Sequence, residues 1–85
     1  MKISRIKGRF QTIKITDYVQ EEKAKVVDIV KGFCEEKHFY ETHDGYRGLR
    51  GNEKIEITFQ NDSIKISSTK HAILDGIEAA IQIQQ

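Results

Sequence analysis

Apolar and polar residues alternate from Glu53 to Ser68, and the rest of the chain can be read outward from that stretch. Ile55, Ile57 and Phe59 fall on one side and Glu56, Thr58 and Gln60 on the other, the period of two of a half-buried strand; Ile64 and Ile66 repeat it after Asn61-Asp62. Asn and Asp tolerate positive φ, so a two-residue type I′ turn there predicts Gln60 opposite Ser63, Phe59 opposite Ile64 and Thr58 opposite Lys65. Ile57 then faces Ile66 and Glu56 faces Ser67. Every apolar residue finds an apolar partner, whereas a one-residue slip would turn one strand inside out.

Two stretches carry a helical period instead. Val26, Ile29, Val30 and Phe33 stand at i, i+3, i+4 and i+7, with Val27 and Cys34 flanking them, and predict a helix from about Tyr18 to Lys37. Asp17 with Gln20 reads as its N-cap and capping-box partner, and the polar first turns, Glu21 to Lys25, are expected to project beyond the core. Ile73, Leu74, Ile77, Ala80 and Ile81 form the apolar face of a last helix that begins after Ser67-Ser68-Thr69 and runs to about Ile83. Gly76 inside it costs about 1 kcal/mol relative to Ala, which suggests close approach to the sheet or to the first helix.

Between the first helix and Glu53, Asp44-Gly45 and Gly51-Asn52 are turn signals. Two-residue turns there put Tyr40 opposite Leu49 and Thr42 opposite Arg47, then Arg47 opposite Glu56 and Tyr46 opposite Ile57; the alternative is one Gly-rich loop over residues 43–52. The inner face would carry Phe39, Tyr46, Ile55, Ile57, Phe59, Ile64 and Ile66, and the outer face Tyr40, Arg47, Leu49, Thr58 and Lys65. Residues 2–15 read as extended, because Phe10 to Ile15 is β-branched and Gly8 disfavours a helix. A strand from about Arg9 to Ile15 needs a bulge to bring Phe10 and Ile13 to one face. The expected fold is an α+β two-layer sandwich: an antiparallel meander of about four strands with two helices on one face, plus an N-terminal strand. Residues 1–85 form a single domain, with 1–16 as a basic strand or arm.

Composition adds limits. At 38% hydrophobic and 32% charged the 85 residues are globular rather than disordered, and no apolar run approaches the ~18 residues of a membrane span. No signal-peptide pattern is present, and the single cysteine makes no internal disulfide, so a cytoplasmic setting is expected. The net charge of +1 conceals alternation: residues 1–16 carry Lys2, Arg5, Lys7, Arg9 and Lys14 with no acid, and residues 17–44 hold eight acids against four lysines. Residues 45–70 return to five bases against three acids, and residues 71–85 add Asp75 and Glu78.

Three groups of residues are candidates for chemistry. Ser68, Thr69 and Lys70, with Ser67 and His71, occupy the start of the last helix, where unpaired N–H groups attract anions and acids are usual, so a phosphate would suit it. Arg47 and Arg50 lie among Gly45, Gly48 and Gly51, where glycines admit close backbone approach, arginines grip phosphate and Tyr46 offers a ring for a base. No Lys-Ser or Lys-Thr opens a helix after them, so this is not a P-loop. Tyr40, Arg47 and Leu49 are the alternative, a protein-binding patch. Cys34, His38, His43 and Asp44 lack the paired spacing of a structural zinc site, so no metal or cofactor is expected. Cys34 and His38 likewise lack a third residue to orient a nucleophile pair.

The order helix, strands, helix over roughly residues 18–83, with Lys70 and Ala72 opening the last helix, resembles the double-stranded RNA-binding domain, a helix, three-strand, helix unit in which basic residues at that place contact phosphates. The resemblance implies Lys70 as a phosphate contact. After the first strand that family offers Gly-Pro and then His; this chain has no proline, and His43 precedes Gly45. The expected function is a non-enzymatic binding module that contacts RNA or DNA phosphates through Arg5, Lys7, Arg9, Arg47, Arg50, Ser68, Thr69 and Lys70. The alternatives are a protein-interaction module, homodimeric through a sheet edge, and a small metal-independent ribonuclease using Glu41, His43, Arg47 or His71.

Overall fold

The computed structural model describes residues 1–8, 10–50 and 52–83, with Arg50 described in its backbone alone. In chain order the elements are β1 (Lys2–Ile6), β2 (Gln11–Thr16), α1 (Gln20–Glu36), β3 (Tyr40–Thr42), β4 (Gly45–Arg50), β5 (Glu53–Phe59), β6 (Ile64–Ser68) and α2 (His71–Ile83). The strands form one antiparallel sheet in the order β1-β2-β6-β5-β4-β3. The four-strand meander is therefore present, extended by a hairpin of β1 and β2 that joins it at β6. The basic N-terminal stretch is part of the sheet, not an arm. The layout also departs from a helix, three-strand, helix unit, since four strands separate the helices and two precede them.

The alternating pattern sets the register. Phe59 pairs with Ile64, Thr58 with Lys65, Ile57 with Ile66 and Glu56 with Ser67, and the Gln60 N–H donates to the Ser63 carbonyl at 2.8 Å. Arg47 faces Glu56 and Tyr46 faces Ile57, as the Gly51-Asn52 turn predicts. The β3–β4 pairing is a correction: Tyr40 faces Arg47 and Thr42 faces Gly45, so the chain turns at His43-Asp44 and Gly45 belongs to the strand. The reason is steric, because a Cβ on Gly45 would lie 1.7 Å from the Ile57 carbonyl oxygen. β2 holds strict alternation without a bulge; it starts at Gln11 and leaves Phe10 on the side opposite Ile13 and Ile15.

Both helices cover one face. Ile13, Ile15, Ile55, Ile57, Ile64, Ile66 and Tyr46 meet Val26, Val30 and Cys34 of α1 and Leu74, Ile77 and Ile81 of α2, all buried. The start of α1 corrects the reading of Asp17 as its cap. Asp17 is left-handed, with φ 56°, and the helix begins after Val19, whose N–H donates to Glu22 Oε1 at 3.1 Å. The first turn does not project freely, because Lys23 Nζ donates to the Gln60 carbonyl at 3.1 Å. At the other end His38 is left-handed, with φ 61°, the His38 N–H reaches the Glu35 carbonyl at 3.2 Å and the Phe39 N–H the Cys34 carbonyl at 2.9 Å. This cap delivers Phe39 onto Gly48, where a Cβ would lie 2.2 Å from the ring. Gly76 is a further correction: nothing lies within 4 Å of a Cβ built there.

Candidate functional site

The opposite face of the sheet carries no helix. Its residues follow from the register in two continuous rows. One reads Ile6, Thr12, Ser67, Glu56, Arg47, Tyr40 and the next Ser4, Lys14, Lys65, Thr58, Gly45, Thr42, each across all six strands. Lys2 pairs with Thr16 beyond the second row, and Lys54 pairs with Leu49 beyond the first. This open face thus holds Lys2, Lys14, Lys54, Lys65 and Arg47 against Glu56, together with the hydroxyls of Ser4, Thr12, Thr16, Thr58 and Ser67. Arg47 Nη2 meets Glu56 Oε2 at 3.4 Å, and Thr12 and Ser67 share a hydrogen bond of 2.8 Å.

Lys14 and Lys65 are direct partners in the interior β2–β6 pairing. Like charges placed opposite one another across a sheet repel. Among the described residues no carboxylate lies within 4.0 Å of either ammonium. Their row neighbours, Ser4 and Thr58, add hydroxyls and no negative charge. The centre of the open face is therefore an array of hydrogen-bond donors that lacks an anion.

Beside it, Phe10, Tyr40, Arg47, Leu49, Lys54 and Ser67 line a hollow of about 320 Å³. Phe10 is 38% exposed, Tyr40 60% and Leu49 67%. Tyr40, Arg47 and Leu49 are thus brought together, as the protein-binding alternative requires.

The other anticipated residues are dispersed. Arg5 lies on the helix side of β1, where its guanidinium bonds Asp75 and stands 3.2 Å from Glu78 of α2. Hydrogen bonding to Asp75 leads the causes that raise its pKa. Lys7 is exposed between β1 and β2, Arg9 lies outside the described residues, and so does the side chain of Arg50, whose backbone faces Glu53 at the end of β4. The hydroxyls before α2 do not converge on one phosphate. Ser67 points to the open face, buried Ser68 accepts the Lys70 N–H at 3.1 Å, and Thr69 accepts the Lys54 N–H at 2.9 Å while donating to the Asn52 carbonyl. Lys70 Nζ pairs with Glu53 at 2.8 Å, so the anion its position asks for is supplied by β5.

Tyr46 is a core residue, 5% exposed and edge-on to Phe59, and is not a stacking platform. Cys34 is fully buried on the sheet side of α1, where burial pushes its thiol up to about 12 and disfavours the reactive thiolate. Among the described residues no three His, Cys, Asp or Glu side chains gather as a metal site. His43 lies by the Thr58 end of β5 and His71 follows Thr69 at the Lys54 end, so the two histidines share no site. Among the described residues no helix is long and apolar enough to cross a membrane.

Lys14, Lys65, Lys54 and Phe10 are the residues sequence reasoning did not single out as a site. Lys65 was legible as outward-facing from its place between Ile64 and Ile66, and Lys14 stands likewise between Ile13 and Ile15; their pairing needed the β2–β6 contact. Comparison of the chain with family models, with curated proteins and with solved structures finds no match.

Proposed function

We propose that this chain is a small non-enzymatic binding module that takes the phosphates of RNA or DNA onto the open face of its sheet. The observation that supports this is the Lys14–Lys65 cross-strand pair, flanked by hydroxyls and without a carboxylate partner among the described residues. Two ammonium groups side by side cost stability, and a bridging phosphate oxygen would reverse the sign of that interaction. Lys2, Lys54 and Arg47 extend the positive field across the face, although the chain as a whole carries only +1. Arg5 and Lys70, already paired with acids, are not needed for the contact.

The test is fluorescence anisotropy of labelled oligonucleotides across a salt series. Four phosphate contacts give a slope of log K against log salt of about −3 for a single strand. Lys14→Glu, Lys65→Glu should lose at least tenfold in affinity and flatten the slope, whereas Lys70→Glu should bind as the parent does. Absence of binding at low salt, or binding indifferent to the Lys14 and Lys65 substitutions, defeats the reading.

A second reading, a protein partner or second copy, rests on the exposure of Tyr40 and Leu49 beside Arg47. An interface anchored by those side chains would persist as salt is raised, which phosphate contacts do not.

A further inference from the structure

Five of the seven aromatic rings are in the core or packed against it: Tyr18, Phe33, Phe39, Tyr46 and Phe59. The two that are not, Phe10 and Tyr40, come from opposite sides of the sheet and line the same hollow on the open face. Each stands as an exposed wall, with Ser67, Glu56, Arg47 and Lys54 on the floor between them.

We propose that this hollow is a subsite for unpaired nucleobases, so that the module takes a single strand in preference to a duplex. The inference rests on the polyanion reading of the same face and names its substrate class. At about 320 Å³ the hollow falls at the small end of the ~300–1,000 Å³ range of ligand sites. Phe10 adjoins β2 and Tyr40 lies on β3, four strand spacings away, or about 19 Å of backbone separation. That span exceeds one base and suits a short run of bases, the outer ones laid against the two rings.

Lys54 and Arg47 lie where the connecting phosphates would pass, and the Lys14–Lys65 pair lies one row further along the face, in line to take the strand as it leaves. Glu56, on the floor between the two lysine-bearing regions, pairs with Arg47 at 3.4 Å and offsets part of its charge. Aromatic stacking of this kind tolerates any base, because every base has a π-face. A duplex keeps its bases stacked inside and has nothing to offer either ring.

The test uses the full chain, a labelled pyrimidine single strand of about ten nucleotides and the matched duplex. Phe10→Ala and Tyr40→Ala should each weaken single-strand binding by roughly 5- to 150-fold, the range of one lost base stack. They should leave the salt slope and the duplex affinity unchanged, and Tyr40→Phe should restore the single-strand affinity. Because the chain has no tryptophan, Tyr40→Trp introduces a lone indole, and stacking predicts that its fluorescence is quenched by the single strand and not by the duplex. Circular dichroism melting of each variant verifies that the fold is kept. If strands bind through Lys14 and Lys65 while Phe10→Ala and Tyr40→Ala have no effect, or if duplex binds as well as single strand, the base subsite is wrong and the phosphate reading stands. If no oligonucleotide binds even at low salt, both are overturned and the hollow passes to a protein partner.

Discussion

On the helix-covered face, β2, β6 and β5 present Ile13, Ile15, Ile64, Ile66, Ile55 and Ile57, all nearly closed to solvent; on the other face the same strands present Thr12, Lys14, Lys65, Ser67, Lys54, Glu56 and Thr58. The difference extends to charge. Two cations on the helix side are matched, Arg5 by Asp75 and Glu78 and Lys70 by Glu53, and on the open side Arg47 is matched by Glu56. On the open side two lysines are set against each other within the sheet. Neutralising that pair was within reach of a single Lys-to-Glu change, which marks the open face as the one whose chemistry is not explained by folding.

The contrast is open to direct attack, and the largest effect belongs to the covered face. Ile66→Ala should cost about 2–5 kcal/mol in urea or thermal unfolding, the range for a buried large-to-small change. Its neighbour Lys65→Ala should stay within about 0.5 kcal/mol of the parent. Alkaline titration comes next. Burial raises the Cys34 thiol from 9.0 to about 12 and raises Tyr46 as well, so the folded chain holds protons that the unfolded chain releases. The stabilisation is complete below the unfolded thiol value and is lost as pH climbs from about 9 towards 12, with a slope of up to about 1.4 kcal/mol per pH unit for the thiol. Denaturant midpoints measured from pH 8 upward should fall, and fall less steeply in Cys34→Ala.

Smaller effects sharpen the comparison. Gly76→Ala, in α2 with open space around it, should stabilise by about 1 kcal/mol while leaving any open-face ligand affinity untouched. Lys65→Glu should stabilise by ~0.2–1 kcal/mol, since it turns a like-charge pair into an opposite one, and yet weaken phosphate binding. Opposite signs for stability and affinity in one substitution, read by unfolding and anisotropy on the same sample, would separate the roles of the two faces.

The legible part of the fold was whatever tested itself locally. The Asn61-Asp62 hairpin carries isoleucines on both arms, so only one register buries all of them, and that register is observed. The β3–β4 turn had no such check. Asp-Gly is a hairpin signal that points to Gly45 as a turn residue, whereas its hydrogen is needed for close approach to the Ile57 carbonyl. Moving the turn by one residue shifts the pairing by two, which preserves the faces; Tyr40, Arg47 and Leu49 therefore stay outward as expected. Asp17 looked like a cap and is instead a left-handed residue ahead of Val19, a conformation that its short polar side chain tolerates. The candidate site was legible only in part, because basic residues were grouped by position in the chain. Arg5 and Lys70 owe their partners to Asp75 and Glu53, and Lys14 owes its neighbour Lys65 to a contact that no local signal announces.

That contact also has a consequence in time. Thr12 and Ser67 are 55 residues apart, yet their strands lie side by side near the middle of the sheet. The β1–β2 hairpin and the β3-to-β6 meander can each form from neighbouring sequence, but joining them closes a loop that contains all of α1. Loop closure of this length favours a late, slow step, so the hairpin should wait for its docking edge on β6. During synthesis at 5–20 residues per second, that edge emerges roughly 3–11 s after β2. Through that interval Ile13 and Ile15 lack their partners Ile66 and Ile64 on β6, which leaves the nascent hairpin with an unpaired apolar edge.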